Sequence, residues 1–256
     1  MGKNKLRKFA EMNTIDLVFQ YPFGRLKAEG FDSFPLKGKW HSDFFGNDRP
    51  IVLELGCGKG EYTVGLAQLY PDKNFIGIDI KGARMYTGAT QARDLGLKNV
   101  AFLRTSIELL ESFFAPGEVS ELWITFPDPQ MKKVTKRLTG TRFMKLYRKV
   151  MPAGGVVRLK SDSPFLYAYT RAMVELNRQQ VLVDTADLYH SGMVDPILNI
   201  RTHYESQWLA RGLTIKYLAF ALDHDTALQE PVDDFERDTY RSYSRGYIPL
   251  IETPQQ

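Results

Sequence analysis

Residues Pro50 to Gly60 read PIVLELGCGKG, and this stretch decides the fold. Its first half is an apolar strand interrupted by Glu54. Its second half places Gly56, Gly58 and Gly60 where the chain must turn sharply and bring its backbone close to a ligand. Glu61 to Tyr70 follows as a helix, with Val64, Leu66, Ala67 and Leu69 apolar. The first amides of that helix point back toward the turn and suit an anionic or polar group. A dinucleotide fingerprint needs a further glycine three residues after Gly58. Glu61 stands there instead, which argues against a nicotinamide cofactor.

Outward from this point, strands and helices alternate. Asn74 to Ile80 reads as a second strand, Ala83 to Leu95 as a helix and Asn99 to Arg104 as a third strand. Ile107 to Phe114 is a short helix, Glu121 to Phe126 a fourth strand and Thr141 to Met151 a helix. Gly154 to Lys160 is a fifth strand and Pro164 to Gln179 a long helix. Val181 to Thr185 and Ile215 to Leu222 are the sixth and seventh strands. Alternation of this kind predicts an α/β fold: a Rossmann-like, doubly wound, seven-stranded and mainly parallel sheet. The last two strands lack an obvious intervening helix and predict an antiparallel edge strand. The expected division is a basic extension over 1–49, the α/β domain over 50–222 and a second extension over 223–256. Open sheets of this type bind ligands beyond the carboxyl ends of their strands.

The bulk composition excludes several classes. Of 256 residues, 43% are hydrophobic and 25% charged, an ordinary globular balance. The single cysteine, Cys57, forbids an intrachain disulfide and a multi-cysteine zinc site. The four histidines do not cluster, so no metal is expected. The N-terminal MGKNKLRKFAEM is basic but leads into no apolar segment, unlike a secretory signal. No apolar run approaches the roughly 18 to 20 residues of a membrane span. The expected location is cytoplasmic, with no membrane partner, as monomer or homodimer.

Net charge is only +4, but it is unevenly distributed. Lys3, Lys5, Arg7 and Lys8 form one basic cluster. Lys132, Lys133, Lys136, Arg137, Arg142, Lys145, Arg148 and Lys149 form another, with no acid among them. Blocks of one sign point to a polyanion, although a charge run is often only a solvated face.

The carboxyl ends of the strands hold the unusual residues. Asp79 closes the second strand, where an acid accepts from ribose hydroxyls, or alternatively caps the next helix. Glu54 lies in an apolar strand and needs a partner if buried; it either holds the loop through backbone amides or faces the cationic end of a ligand. The pattern E-x-G-x-G-x-G with an acid closing the next strand resembles class I S-adenosylmethionine-dependent methyltransferases. The domain at 50–222 is expected to be of that class.

The fourth strand ends in ITFPDPQMKK. Pro127 and Pro129 stop the strand and fix Asp128 between them. Cytosine C5 chemistry uses a cysteine nucleophile, and Cys57 belongs to the glycine loop. Adenine amino-group chemistry typically uses adjacent prolines followed by an aromatic residue, and FPDPQ has neither. Guanine N7 already carries a free lone pair, and its methylated ring is cationic. A rigid carboxylate such as Asp128 suits that chemistry, since it orients the ring and opposes the new charge. A plain turn acid is the alternative.

Three stretches together resemble the tRNA (guanine-N7)-methyltransferase family: ITFPDPQMKK, KRLTGTRFMKLYRKVMPAGGVVRLKSDSPFLY and IRTHYESQWLARGLTIKYLAF. The resemblance runs from about Pro50 to Phe220. It implies methyl transfer from S-adenosylmethionine to N7 of a guanine in the tRNA variable loop. Glu54, Asp79, Ser106 and Asp128 match cofactor positions of that family, beside Gly56, Gly58 and Gly60, and Asp128 also matches the catalytic acid. Lys132, Asp162 and Thr202-His203-Tyr204-Glu205 match substrate positions. Lys132, Lys133, Lys136 and Arg137 are expected at RNA phosphates, which position the substrate and make binding salt-dependent.

Departures accompany the match. Gln130 replaces a frequent tryptophan, Ser106 a frequent Asp or Asn, and the basic run after Lys133 is one residue shorter. The tail from Asp223 is not covered by these stretches and is expected to pack on the body, extend the RNA surface or be partly mobile. By residue chemistry alone, Asp162 also reads as a cap before Pro164, and Trp208, four residues after Tyr204, as a core residue. Glu205 is expected to meet either guanine or a neighbouring Arg201 or Arg211. A methyltransferase of a small molecule or protein, and an inactive RNA-binding module, remain alternatives.

Overall fold

A computed structural model describes residues 3–193 and 198–239. In chain order the elements are α1 (Lys3–Met12), β1 (Val18–Gln20), α2 (Phe23–Glu29), β2 (Ile51–Leu55), α3 (Glu61–Leu69), β3 (Asn74–Asp79) and α4 (Gly82–Asp94). Then follow β4 (Val100–Arg104), β5 (Glu121–Thr125), α5 (Thr141–Tyr147), β6 (Gly155–Ser161), α6 (Pro164–Leu176), β7 (Gln180–Thr185), α7 (His203–Leu209) and β8 (Lys216–Leu222). The strands form one sheet in the order β1-β4-β3-β2-β5-β6-β8-β7.

The fold class is the expected α/β one, with eight strands in the described residues rather than seven. The extra strand, β1, pairs parallel with β4 through Val18–Phe102 and Phe19–Leu103. It is three residues long and carries no periodic signal of its own. The antiparallel strand is β8, which pairs with both β6 and β7 and so lies inside the sheet edge. The short helix α7 separates β7 from β8 in sequence, where only the four-residue spacing of Tyr204 and Trp208 suggests a helix.

Strand β2 shows why the opening stretch lacks simple alternation. Every one of its residues is buried, because helices cover both faces of the sheet. Ile51, Leu53 and Leu55 join one core, with Trp40, Phe113, Met144 and Tyr169. Val52 joins the other, with Tyr62, Val64 and Phe102. Period two then directs Glu54 to the second face, where α3 begins.

The segment before β2 belongs to the body of the molecule. Trp40 is fully buried, stacks on Phe114 and donates from Nε1 to the Phe113 carbonyl at 3.0 Å. The segment after β8 also packs down. Phe235 meets Phe165 and Tyr169 edge-on, and Glu230 accepts from the Tyr169 and Thr141 hydroxyls. Asp238 accepts from Ser163 Oγ at 2.5 Å and from the Phe165 amide at 3.0 Å. Tyr240, Tyr243 and Tyr247 lie outside the described residues. No described helix is long and apolar enough to cross a membrane.

Candidate active site

The strand order reverses at β2: β3 lies on one side of it and β5 on the other. A crevice forms beyond the carboxyl ends of strands at such a point. Here a cavity of about 380 Å³ is lined by Glu54, the glycine turn, Asp79, Lys81, Arg84, Thr125, Phe126, Asp128, Thr202 and Trp208.

The turn keeps its shape through its own backbone. Gly56, Gly58 and Gly60 have φ of 78°, 56° and 74°, in the left-handed region. The Gly56 and Cys57 amides both donate to the Ile78 carbonyl, at 2.8 and 3.0 Å. Around Gly56 and Gly58 the space for a side chain is open, so the backbone is bare toward a ligand. Gly60 differs: a Cβ there would stand 2.7 Å from the Phe102 ring, so close packing requires this glycine.

Asp79 fastens this turn to the next helix. Its Oδ2 accepts from the Gly58 amide at 2.9 Å and its Oδ1 from the Lys81 amide at 2.7 Å. No side chain caps α4, so the helix-cap alternative for Asp79 does not hold. Glu54 is buried beneath the turn. It accepts from the Thr63 amide at 2.8 Å, from the Thr63 hydroxyl, and from Thr125 Oγ1 at 2.6 Å. Burial outweighs these hydrogen bonds and pushes its carboxyl up to about 7. Cys57 is buried as well, and burial pushes its thiol up, the opposite of an activated nucleophile.

Asp128 is exposed on the loop that leaves β5, and its Oδ1 accepts from the Gln130 amide at 3.2 Å. Phe126 and Gln130, on either side of the Pro-Asp-Pro unit, have φ of 48° and 50°. Left-handed backbone costs a side-chain-bearing residue about 1–3 kcal/mol and persists only where the surroundings enforce it. Enforcement is visible at both ends. The Phe126 amide donates to the Lys160 carbonyl at 2.8 Å. Arg137 donates to the Gln130 and Met131 carbonyls at 3.3 and 3.1 Å.

This corrects the expectation for Arg137. It is buried, with its guanidinium 4.8 Å from the Phe165 ring centroid and 4.3 Å from that of Tyr169. It braces the loop from behind rather than facing a phosphate. The rest of the basic run is also divided. Lys136 lies 2.5 Å from Glu108, which Arg142 approaches at 3.5 Å, and Lys149 lies 3.0 Å from Glu111. Arg148 donates to the Thr226 carbonyl at 2.7 Å. The run is free of acids in sequence but not in space. Lys132 and Lys133 stay exposed, with no ion pair among the described residues.

Ser106 donates to Glu108 at 2.9 Å and does not line the cavity. Asp162 is fully buried, and its carbonyl accepts from Lys216 at 3.2 Å. The cap before Pro164 is Ser163, whose Oγ accepts from the Leu166 amide at 2.9 Å, so Asp162 is not the cap.

The THYE motif begins α7 with a reciprocal cap. Thr202 Oγ1 accepts from the Glu205 amide at 3.1 Å, and the Glu205 carboxylate accepts from the Thr202 amide at 3.4 Å. Glu205 is fully buried and meets neither Arg201 nor Arg211. Its partner is Lys160 on β6, also fully buried, at 2.9 Å. Tyr189 donates to the same carboxylate at 2.6 Å. Lys160 further donates to the Leu198 and Ile200 carbonyls at 2.8 and 3.2 Å. It therefore ties the chain leading into α7 to strand β6. Sequence patterns missed it because a lysine inside an apolar strand gives no sign of its partner. The side chains of His203 and Tyr204 lie outside the described residues.

A glycine turn, a strand-end acid and a switch-point cavity on this sheet define the class I methyltransferase architecture. A family model described as "Putative methyltransferase" matches residues 48–218. The tRNA (guanine-N(7)-)-methyltransferase of Bacteroides thetaiotaomicron is 60% identical over 253 residues, covering 99% of each chain. The Porphyromonas gingivalis protein of that name is 63% identical over 237 residues, covering 92% of this chain and 97% of its own. This chain belongs to the tRNA (guanine-N7)-methyltransferase family. In three dimensions, a solved 16S rRNA (adenine(1408)-N(1))-methyltransferase from Catenulisporales acidiphilia superposes with a TM-score of 0.51 at 15% identity, covering 76% of this chain and 93% of its own. At that identity the likeness is one of fold.

Proposed function

We propose that this protein methylates N7 of a guanine in the variable loop of tRNA, with S-adenosylmethionine as methyl donor, in the cytoplasm. The observation that carries the reading is Asp128: an exposed carboxylate, on a loop strained at both ends, at the wall of the glycine-turn cavity of a chain from this family.

The residues present suit the donor. Open space over Gly56 and Gly58 admits a ligand against bare backbone. Asp79 offers carboxylate lone pairs beside that backbone, and Glu54 supports the turn from below. Ser106 would act from the far edge, beyond the cavity lining. When bound, the cofactor supplies an electrophilic methyl on a sulfonium sulfur. The chain provides alignment and charge.

Guanine N7 needs no base, because its lone pair is already free. Asp128 accepts from the N–H edge of the guanine and so presents N7. The same negative charge offsets the positive charge that grows on the ring. Thr202 lines the cavity, while Glu205 and Asp162 act from buried positions that hold the substrate side in shape. His203 and Tyr204 enter this reading through the family match alone. Lys132 and Lys133 meet phosphates of the tRNA, with Lys136 beside them.

The test uses purified protein, unmodified tRNA and S-adenosylmethionine labelled on the methyl. The site is located by the strand scission that 7-methylguanine permits after reduction and amine treatment. Label at one variable-loop guanine is the expected result. Label at another base or atom overturns the acceptor, and tRNA binding without label overturns the reaction.

A further inference from the structure

The chain has three tryptophans. Trp40 and Trp123 are 0% and 1% exposed and lie in the two cores. Trp208 differs from both. It is half-buried, packs partly against the core that contains Tyr62, and also lines the cavity that holds Asp128 and Thr202. Core packing alone, as the sequence suggested, does not account for an indole at the cavity wall.

We propose that Trp208 is a substrate-positioning residue whose indole forms the stacking surface for the target guanine. This rests on the function proposed above. Enzymes that modify a base take it out of its stack and hold it against aromatic side chains in a pocket. Among the described residues, Phe126 and Trp208 are the aromatic side chains that line this cavity. The loop carries Gln130 after the Pro-Asp-Pro unit and so offers no further ring there.

Trp208 is also well fixed. It stands on α7, whose first turn is set by the Thr202–Glu205 cap and by the buried Lys160–Glu205 pair. The Arg211 guanidinium lies 4.9 Å from its ring centroid. A ring held in this way loses little freedom when a base lands on it. Asp128 then meets the edge of the guanine while Trp208 meets its face, which defines both the plane of the base and its rotation.

The experiment combines kinetics with tryptophan emission on the full chain. Base–aromatic stacking changes affinity by roughly 5- to 150-fold. Trp208→Ala is therefore expected to raise KM for tRNA by at least about fivefold, and Trp208→Phe to restore most of the loss. In the wild type, with S-adenosylhomocysteine present, unmodified tRNA is expected to quench the emission. The same tRNA with adenosine at the target position quenches less. A structural role would not produce that difference between two RNAs. Equal quenching by both, full quenching by S-adenosylhomocysteine alone, or an unchanged KM in Trp208→Ala each overturns the proposal. Methyl transfer by the wild type is measured in the same series. Transfer with a failed Trp208 result removes only this inference; absence of transfer removes the proposed function and this inference with it.

Discussion

Asp128 and Glu205 are carboxylates in the two most distinctive motifs of the chain, FPDP and THYE. Asp128 is exposed and, among the described residues, accepts one hydrogen bond, from the amide of Gln130 in its own loop. Glu205 is fully buried and is met by Lys160, Tyr189 and the amide of Thr202. The first carboxylate has lone pairs to offer a ligand. The second has its charge matched from within, and it fixes the first turn of α7. Likeness of motif therefore does not imply likeness of environment: desolvation and internal pairing separate a carboxylate open to a ligand from one matched within the fold.

The sharpest way to break this comparison is to remove Glu205. Glu205→Ala leaves the Lys160 ammonium buried without its counter-charge, which costs about 3–5 kcal/mol. In a chain of this size that lowers Tm by roughly 10 °C. Lys160→Met combined with Glu205→Leu recovers much of the loss, because the pair is replaced rather than broken. Calorimetry on the wild type and the two variants decides it, and a Tm shift below about 2 °C for Glu205→Ala would show that the pair does not hold α7.

Asp128→Asn should behave in the opposite way. Its Tm stays at the wild-type value, while turnover falls by about 10²–10³-fold, the usual effect of removing one preorganised electrostatic group. Binding of S-adenosylmethionine, followed by calorimetric titration, is retained. Turnover within threefold or so of wild type would take the catalytic assignment away from Asp128.

Glu54 extends the comparison to pH. Burial raises its carboxyl from 4.5 to about 7 despite donors on Thr125 and Thr63. The folded chain thus holds a proton that the unfolded chain has released. The associated stability is fully present below pH 4.5 and is lost as pH rises toward 7. The loss is on the order of 3 kcal/mol. Glu54→Gln lacks this dependence, so wild-type Tm should fall relative to the variant as pH increases over that interval. Parallel Tm curves for the two proteins would refute it.

The smallest effects belong to the surface. Lys132→Ala with Lys133→Ala should weaken tRNA binding and reduce the salt slope by about 0.7 for each phosphate that is no longer neutralised. Glu108→Gln should strengthen binding by up to about fivefold, since an exposed pair is worth about 0–1 kcal/mol and Lys136 and Arg142 are released from it. Filter binding across a salt series reads both, and an unchanged slope in the double variant would place the RNA elsewhere.

Much of the geometry around the cavity is legible in the sequence. The glycine turn, Asp79 at the end of β3 and Asp128 between two prolines are set by backbone chemistry within a few residues. Period two and helix-length spacing likewise fixed the order of strands and helices. Misreadings came where the deciding partner is remote in sequence. Arg137 reads as one more cation in a basic run, and only Phe165 and Tyr169 turn it inward. Strand β1 is too short to announce itself and exists because β4 offers it an edge.

By itself the sequence determined the α/β order, the bare glycine turn and the acid held between two prolines, because each depends on local backbone constraints. Tertiary structure alone decided which charges remain available. Glu108 reaches Lys136 across 28 residues of chain, Glu111 reaches Lys149 across 38, and Lys160 reaches Glu205 across 45. Pairing of that range depends on burial and on long-range packing, which no local pattern of residue types records.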